Sequence, residues 1–360
     1  GKDNLISGNT ASDNTSSSFI GGGKNNIALD GYLGTSAVVV GGNNNFAGGS
    51  YYTASFVGGG RFNKAFGQYS NVVGGVNNTI TNTGEYSSVI GGRNNMANAP
   101  STFIGGGTFN SAMTNSSIVV GGISNLVSDT ESFIGGGQSN INYGKRGFIG
   151  CGIGNVVGNE YAIIVGGYSN KALGKNSFIG GGKENSATTY YSIVVGGRKN
   201  SSFGNYGFVG GGFSNIASGN YSVVVGGGNT YNPTLFRNRA TGTASAVVGG
   251  QRNYASATHT SILGGLGNSA TTSYATIAGG TYNKGFGQKS FIGGGNNNLA
   301  QGNQSIVVGG SSNQATGNFA FIGNGALSVA SGYRSFIANG VFNTASGIAS
   351  AIVGGTNHFA

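Results

Sequence analysis

Charge, proline, cysteine and tryptophan are all scarce in this sequence. Only 7% of the 360 residues are charged, and there are 2 Pro, 1 Cys and no Trp. A single Cys excludes an intrachain disulfide. Collagen is excluded because Gly does not occur at every third position and Pro is scarce. Hydrophobic residues make up 37% of the chain, which argues against simple disorder. No apolar run reaches the ~18 residues of a membrane helix, so we expect no membrane insertion by this segment.

Glycine is abundant, and it recurs in a repeat. The chain has 75 Gly, and each Gly inside a helix costs about 1 kcal/mol relative to Ala. Pairs or triplets of Gly are followed by an Asn slot, as in T-F-I-G-G-G-T-F-N-S-A from Thr102 to Ala112. The slot recurs every 15 residues, with a step of 23 between Thr230 and Asn253, and Ser328 and His358 also occupy it. It is filled by Asn95, Asn110, Asn125, Asn140, Asn155, Asn170, Asn185, Asn200, Asn215, Asn253, Asn268, Asn283, Asn298, Asn313 and Asn343.

This repeat predicts an all-β fold, a parallel β-solenoid of about 22 coils with a 15-residue period. Adjacent apolar residues such as Phe133 and Ile134 indicate strands buried on both faces, one of them covered by more of this chain or by another chain. The Gly run provides a tight bend. A 15-residue coil fits either a flattened two-strand turn or a narrow triangular one. A bundle of polyproline-II helices would instead need Gly at every third position.

Interruptions of the period divide the chain. We expect a lead-in segment at 1–17 and a single solenoid domain at 18–360, with an irregular N-terminal part at 27–62. The long step predicts a protruding loop at 231–244, because insertions in solenoids become loops, often on the binding face. A tolerated surface excursion is the alternative for this loop, and a capping end is the alternative for the irregular part.

The units S-F-I-G-G-G-x-x-N-x-A and S-I-V-V-G-G-x-x-N-x-A resemble the head repeats of YadA-like trimeric autotransporter adhesins and the Gly-rich repeats of phage or viral tail fibres. The resemblance covers about Ser18 to Ala360, although the period here is 15 and Gly is commoner. It implies a left-handed β-roll, a side-by-side homotrimer and attachment to a surface. It also implies an extracellular location, on a bacterial cell surface or as a virion surface fibre.

Candidate receptor-binding residues lie in the long step and in a basic pair before it. They are Tyr231, Leu235, Phe236, Arg237, Arg239, Arg198 and Lys199. No Asp or Glu follows Glu184, whereas eight Lys and Arg do. Such a field favours a host-cell surface glycan, a matrix protein or another anionic surface as partner, although the charges could simply keep the chain soluble. Without a recognised module or a basic helix we expect no nucleic acid partner.

Tyrosine recurs nine residues before the Asn slot. The Tyr slot is filled by Tyr69, Tyr86, Tyr161, Tyr191, Tyr206, Tyr221 and Tyr274. On neighbouring coils these residues predict a ladder of aromatic rings. The ladder either offers surfaces for sugar rings or only stabilises the coil, and the Asn ladder is interpreted as amides that bond from coil to coil.

Nothing in the sequence favours an enzyme. His259 occupies the Tyr slot, His358 occupies the Asn slot, and Cys151 stands where most copies have Gly. No spacing of His, Cys, Asp and Glu is typical of a metal site, so we expect neither catalysis nor a cofactor. The sequence therefore predicts a fibre or adhesin head, with a structural fibre, sheath or filament component that lacks a receptor as the alternative.

Overall fold

The computed structural model describes residues 1–7, 17–31, 36–49, 54–228 and 237–360, and these residues form strands and no helix. They divide into two units, Gly1–Asn176 and Ser177–Ala360, each of which is described by itself. Each unit is a parallel β-solenoid in which neighbouring turns are 15 residues apart over most of the chain. The predicted all-β parallel solenoid and its period are confirmed.

Each turn contributes two short strands, and each strand pairs in parallel register with its equivalent one turn on. The strands that follow the Asn slot form what we call the Asn-side sheet, and those that precede the Gly run form the Gly-side sheet. Ser111 faces Leu126 in the first, for example, and Phe103 faces Ile118 in the second. Parallel pairing of equivalent residues explains why the same slot carries the same residue type in successive turns.

The first unit contains strands of both sheets. Its Asn-side strands are Leu5–Ser7, Ile27–Leu29, Phe46–Ala47, Lys64–Ala65, Thr79–Ile80, Met96–Ala97, Ser111–Ala112, Leu126–Val127, Ile141–Asn142, Val156–Val157 and Lys171–Ala172. Its Gly-side strands are Phe19–Ile20, Val38–Val39, Phe56–Val57, Asn71–Val72, Ser88–Val89, Phe103–Ile104, Ile118–Val119, Phe133–Ile134, Phe148–Ile149 and Ile163–Ile164.

The second unit repeats the arrangement. Its Asn-side strands are Ser186–Ala187, Ser201–Ser202, Ile216–Ala217, Arg239–Ala240, Tyr254–Ala255, Ser269–Ala270, Lys284–Gly285, Leu299–Ala300, Gln314–Ala315, Val329–Ala330 and Thr344–Ala345. Its Gly-side strands are Phe178–Ile179, Ile193–Val194, Phe208–Val209, Val223–Val224, Ala246–Val247, Ser261–Ile262, Thr276–Ile277, Phe291–Ile292, Ile306–Val307, Phe321–Ile322, Phe336–Ile337 and Ala351–Ile352.

A third row of backbone pairing joins successive turns. The residue two places before the Asn slot forms a parallel bridge with its equivalent, as Thr108 does with Ile123 and Ile123 with Gln138. Each turn therefore has three hydrogen-bonded rows, two of which are strands. Most backbone groups of a turn find their partners in the turns before and after it.

The core is a thin column of aliphatic side chains inside the coil. In most strands the second residue points inward and is fully buried, as Ile134 and Val127 are, whereas Leu5–Ser7 is exposed and Ile20 is half-buried. The first residue points outward, and Phe148 remains 37% exposed. Within the described part of a single chain only the inner face is covered. Of the two covers that the sequence allowed for the outer face, more of this chain is therefore not observed, and another chain stays a prediction.

The Gly run turns the chain at a corner where successive turns approach closely. The last Gly of each run has a positive φ, which is +93° in Gly122, and a Cβ there would lie 2.1 Å from the carbonyl oxygen of Gly137. A Cβ on the preceding Gly121 would have no neighbour within 4 Å. The corner thus requires glycine at the last position of the run and tolerates other residues at the one before.

Two predicted boundaries need correction at the N-terminal end. Leu5–Ser7 pairs with Ile27–Leu29, so residues 1–7 belong to the solenoid and are not a lead-in. The 27–62 part keeps the ladder, because the Asn45 backbone N–H donates to Oδ1 of Asn26 at 3.0 Å. Its additional residues fall between an Asn-side strand and the next Gly-side strand, as between Leu29 and Val38.

The long step is also placed differently from the prediction. The Asn slot that the sequence assigned to Thr230 is filled by Asn238, whose backbone N–H donates to Oδ1 of Asn215 at 3.2 Å. Arg239–Ala240 is an Asn-side strand. Of the predicted loop at 231–244, residues 237–244 therefore belong to a regular turn, while 231–236 lie outside the described residues.

Candidate binding groove and its flanking rows

A buried ladder of Asn side chains forms one wall of the Gly corner. Nδ2 of Asn110 donates to the carbonyl oxygen of Gly106 in its own turn at 2.8 Å and to that of Gly122 in the next turn at 2.9 Å. Its Oδ1 accepts the backbone N–H of Asn125 at 3.0 Å. The predicted ladder exists, but its amides bond mainly to the backbone of the next turn and not to one another.

Residues that differ from the consensus occupy their slots as expected. The Ser328 hydroxyl oxygen accepts the backbone N–H of Asn343 at 3.3 Å, and the backbone N–H of His358 donates to Asn343 Oδ1 at 2.9 Å. His259 stacks on Tyr274 in the Tyr slot, with ring centroids 5.0 Å apart. Cys151 is an exposed free thiol in a Gly position.

A shallow groove runs beside the Asn ladder. We call it the corner groove: it lies between the residue that precedes each Asn slot and the residue that follows it. The preceding residue points outward because its backbone is left-handed, with φ of +55° at Asn77 and +56° at Asn94. In the first unit the groove opens into a cavity of about 370 Å³, which is lined by Asn77, Thr79, Asn94, Asn95, Met96, Phe109 and Ser111. This neutral segment carries no charged side chain.

In the second unit the corner groove has a basic segment. Its cavity of about 300 Å³ is lined by Arg237, Arg239, Arg252, Asn253, Tyr254, Gly267, Asn268 and Ser269. Cζ of Arg239 lies 4.7 Å from the ring centroid of Tyr254. Cζ of Arg252 lies 5.8 Å from that of Tyr282, two turns further on. Gly267 stands between them in the same row, and a Cβ there would lie 2.5 Å from Cδ1 of Tyr282.

The basic segment has no carboxylate side chain to neutralise it, because no Asp or Glu follows Glu184 in the sequence. Glu184 itself lies 3.6 Å from Nζ of Lys183 and 3.6 Å from Nζ of Lys199. The guanidinium groups of Arg239 and Arg252 lie over the rings of Tyr254 and Tyr282. A planar guanidinium over an aromatic ring keeps N–H edges able to contact an anion.

The structure brings together some of the predicted receptor residues and separates others. Arg237 and Arg239 line the basic segment. Arg198 lies in the third backbone row with its guanidinium 5.6 Å from the Phe213 ring, and Lys199 forms the ion pair with Glu184. Neither lines that cavity. Tyr231, Leu235 and Phe236 lie outside the described residues.

Sequence reasoning missed Arg252 and Tyr254 as groove residues. They lie immediately before and after Asn253, and Arg239 directly follows Asn238. Once the Asn is known to be buried, its two neighbours must border the same corner on the outside. A position directly before or after the Asn slot was therefore the sequence signal for a groove residue. Assigning the slot to Thr230 instead of Asn238 hid this signal for Arg239.

The Tyr rows form stacked ladders, as predicted. The ring centroids of Tyr191 and Tyr206 are 4.9 Å apart, those of Tyr206 and Tyr221 are 5.1 Å apart, and the planes are within 5° of parallel. A sugar between two rings would need them about 7 Å apart, at two van der Waals contacts. The rings therefore cover one another's faces along the row, which favours coil stabilisation over sugar binding.

The outer surface of the Gly-side sheet is apolar in both units. A Phe at its first position is usually followed two residues later by Gly, and the ring covers the place where a Cβ would be, 3.4 Å from Cε1 in the pair Phe103 and Gly105. Turns with Ile or Val at the first position often carry Val there instead, as Val120 and Val195 do, each 47% exposed. The outward residues thus compensate in size and form a largely apolar surface within each unit, interrupted by Asn71 and Ser88 in the first and by Ser261 and Thr276 in the second.

One exposed network of charges crosses successive turns of the first unit. Nε of Arg146 donates to Oε2 of Glu131 at 2.6 Å, and the same guanidinium donates to the hydroxyl of Tyr161. The hydrogen bond from Arg146 holds the pKa of Glu131 below its usual range. The hydrogen bonds to Glu131 and Tyr161 raise the pKa of Arg146 in turn.

Neither a protein-family model nor a curated protein matches this sequence. Within the described ranges, no group of three His, Cys, Asp or Glu is placed to hold a metal ion. A search of the same ranges for a helix long and apolar enough to cross a membrane finds none.

Proposed function

We propose that the protein is a non-enzymatic extracellular fibre or adhesin head that mediates attachment to a cell surface or matrix and works as a side-by-side homotrimer. The observation that carries the proposal is the apolar outer face of the Gly-side sheet. Large contiguous apolar patches on soluble proteins mark interaction surfaces. A face built from the same slots in turn after turn is suited to another copy of the same chain.

Closed symmetric association would cover the Gly-side sheet of every copy. The corner groove borders the Asn-side sheet, so this assembly leaves the groove accessible. Repetition along the solenoid would then present many similar sites to a surface, and binding at several sites increases overall affinity without new contacts. The acid-free C-terminal part of the chain favours a partner with negative charge.

The oligomeric state of the chain tests the homotrimer. Light scattering on the intact chain should give three times the 35.8 kDa of one copy. Val120→Glu with Val195→Glu, on the apolar face, should reduce this mass towards that of a monomer. Thr79→Glu with Gln314→Glu introduces the same charge on the outer side of Asn-side strands and should leave the mass unchanged. A wild-type mass of 35.8 kDa would refute the homotrimer.

A structural fibre, sheath or filament component without a receptor is the second candidate. The observation that favours it is the Tyr rows, in which stacked rings cover one another's faces. The two candidates differ in binding: an attachment protein retains cells, matrix or glycans on an immobilised surface, whereas a structural component assembles and retains none of them.

A further inference from the structure

We infer that the basic segment of the corner groove binds an anionic saccharide through its carboxylate or sulfate groups. The inference rests on the proposed attachment function and specifies its ligand. Arg237, Arg239 and Arg252 meet at one cavity of about 300 Å³ in the second unit, whereas the corresponding cavity of the first unit is neutral.

The first step of the argument is that the geometry of the groove recurs in both units, whereas three guanidinium groups gather at one segment. Thr79 and Asn94 occupy the slots in the first unit that Arg239 and Arg252 occupy in the second. Both segments open into cavities of similar size. The repeat thus supplies the shape, and three guanidinium groups in one segment are an addition that coil stability does not require.

The second step is that the charge is arranged for a ligand. Arg239 lies over Tyr254 and Arg252 lies over Tyr282, so each guanidinium has an aromatic contact that favours this placement. The row has Gly at 267, and the Tyr282 ring packs over this glycine, where a Cβ would lie 2.5 Å from Cδ1. No Asp or Glu follows Glu184 in the sequence, so residues 185–360 contain no acidic side chain that offsets this charge. Guanidinium edges form paired hydrogen bonds with planar or tetrahedral oxyanions.

The third step separates a saccharide from a nucleic acid. Single-stranded nucleic acids bind through bases stacked on free aromatic faces. Here a guanidinium lies over one face of Tyr254 and another lies over Tyr282. The cavity is at the small end of the ~300–1,000 Å³ range for small-ligand sites, a size for one or two acidic sugar units. Successive turns repeat at roughly 4.8 Å, so charged groups along a sugar chain would meet the residues of successive turns.

The position of an insertion in the sequence supports the same location. Residues 229–236 join Gly228 to Arg237 and lie outside the described residues. Elsewhere in the described turns, the additional residues lie between an Asn-side strand and the following Gly-side strand. In the sequence these eight residues instead come directly before Arg237 and the Asn238 slot, and insertions in solenoids often serve binding.

The test uses the intact chain and defined probes. Binding of a heparin octasaccharide and a hyaluronan octasaccharide is measured by calorimetry beside a neutral chitin hexasaccharide and a 20-residue poly(dT). We expect the acidic saccharides to bind and Arg239→Gln with Arg252→Gln to weaken them roughly tenfold or more, since each lost contact is a charge-assisted one. Lys64→Gln with Arg93→Gln removes the same charge from exposed positions of the first unit and should change binding less than twofold.

The outcomes separate this inference from the proposed function. Equal weakening by both double variants would show a diffuse charge effect and overturn the site, and tighter binding of poly(dT) than of either acidic saccharide would overturn the ligand class. If the wild type holds cells but neither octasaccharide, attachment stands and the inference fails. If it holds no surface yet binds an octasaccharide through Arg239 and Arg252, the site stands and attachment fails.

Thr79→Arg with Asn94→Arg should create a second site in the neutral segment, seen as increased stoichiometry.

Discussion

The backbone N–H of Asn238 donates to Oδ1 of Asn215 at 3.2 Å, although these residues are 23 positions apart in the chain. Nδ2 of Asn238 donates to the carbonyl oxygens of Gly226 at 2.9 Å and Gly250 at 2.8 Å. These are the contacts that other Asn residues of the ladder make at a 15-residue step. The turn is therefore complete without the eight residues between Gly228 and Arg237.

Deleting residues 229–236 should leave the solenoid as stable as the wild type or slightly more stable. The deletion restores a 15-residue step and places Gly228, Arg237 and Asn238 in the three consecutive slots that follow the corner glycine, Gly227. Removal of a loop also lowers the entropy cost of closing the turn. Thermal unfolding followed by circular dichroism measures the midpoint.

A deletion of the same length shifted by two residues is the matched control. Removing 231–238 also gives a 15-residue step, but it puts Thr230 in the Asn slot. The amide contacts to Gly226 and Gly250 are lost, which should cost about 1–3 kcal/mol because two buried carbonyls lose partners. Equal midpoints for the two deletions would show that Asn238 does not define the turn.

Neighbouring glycines of one run should respond very differently to alanine. Gly122→Ala places a Cβ 2.1 Å from the Gly137 oxygen at a φ of +93°, and we expect a loss of about 3–5 kcal/mol. Gly121→Ala meets no atom within 4 Å and should be neutral or stabilise by about 0.5 kcal/mol, since it restricts the unfolded chain. Urea unfolding of both variants distinguishes them, and similar losses would contradict the assigned corner.

The Asn ladder should be sensitive to the chemistry of the side chain as well as to its presence. Asn110→Ala removes two donated bonds and one accepted bond from a buried position, at about 2–4 kcal/mol. Asn110→Asp sets a carboxylate against two carbonyl oxygens and should be worse at neutral pH and milder in acid. Asn115→Ala, an exposed change in the same turn, is the control. A midpoint for Asn110→Ala equal to that of the control would argue against the ladder.

The 15-residue period was sufficient to predict parallel stacking, because identical slots at a fixed step can only face one another in register. Which face of a strand is buried was not predictable in the same way. Phe133 and Ile134 are both apolar, yet only Ile134 points into the coil. Both positions are apolar in the sequence, so composition alone does not distinguish the inward row from the outward one.

Only part of the basic segment was predicted: Arg237 and Arg239 were candidate residues, whereas Arg252 and Tyr254 were not. Counting by fifteen from Asn215 reaches Thr230, and composition then marks the following aromatic and basic residues as a loop. Hydrogen bonding decides otherwise, because Asn238 satisfies three ladder contacts. Arg239, which the sequence placed in a loop, therefore lies on the outer side of a strand, in register with Tyr254 of the next turn. A polar ladder fixes register through partners that are remote in sequence, which counting alone cannot show.

Titration of Glu131 should reveal the network across turns. Its pKa is lowered chiefly by the hydrogen bond from Arg146, so Arg146→Gln should raise the pKa towards the usual value of a glutamate. Lys145→Gln removes only a weaker, long-range charge and should raise it less. Because the pKa is lower in the folded state, the ionised pair stabilises the fold above the ordinary glutamate range, and this contribution disappears as the pH falls through the lowered pKa. Carboxyl chemical shifts against pH measure both variants, and an unchanged Glu131 pKa in Arg146→Gln would show that the pair does not persist in solution.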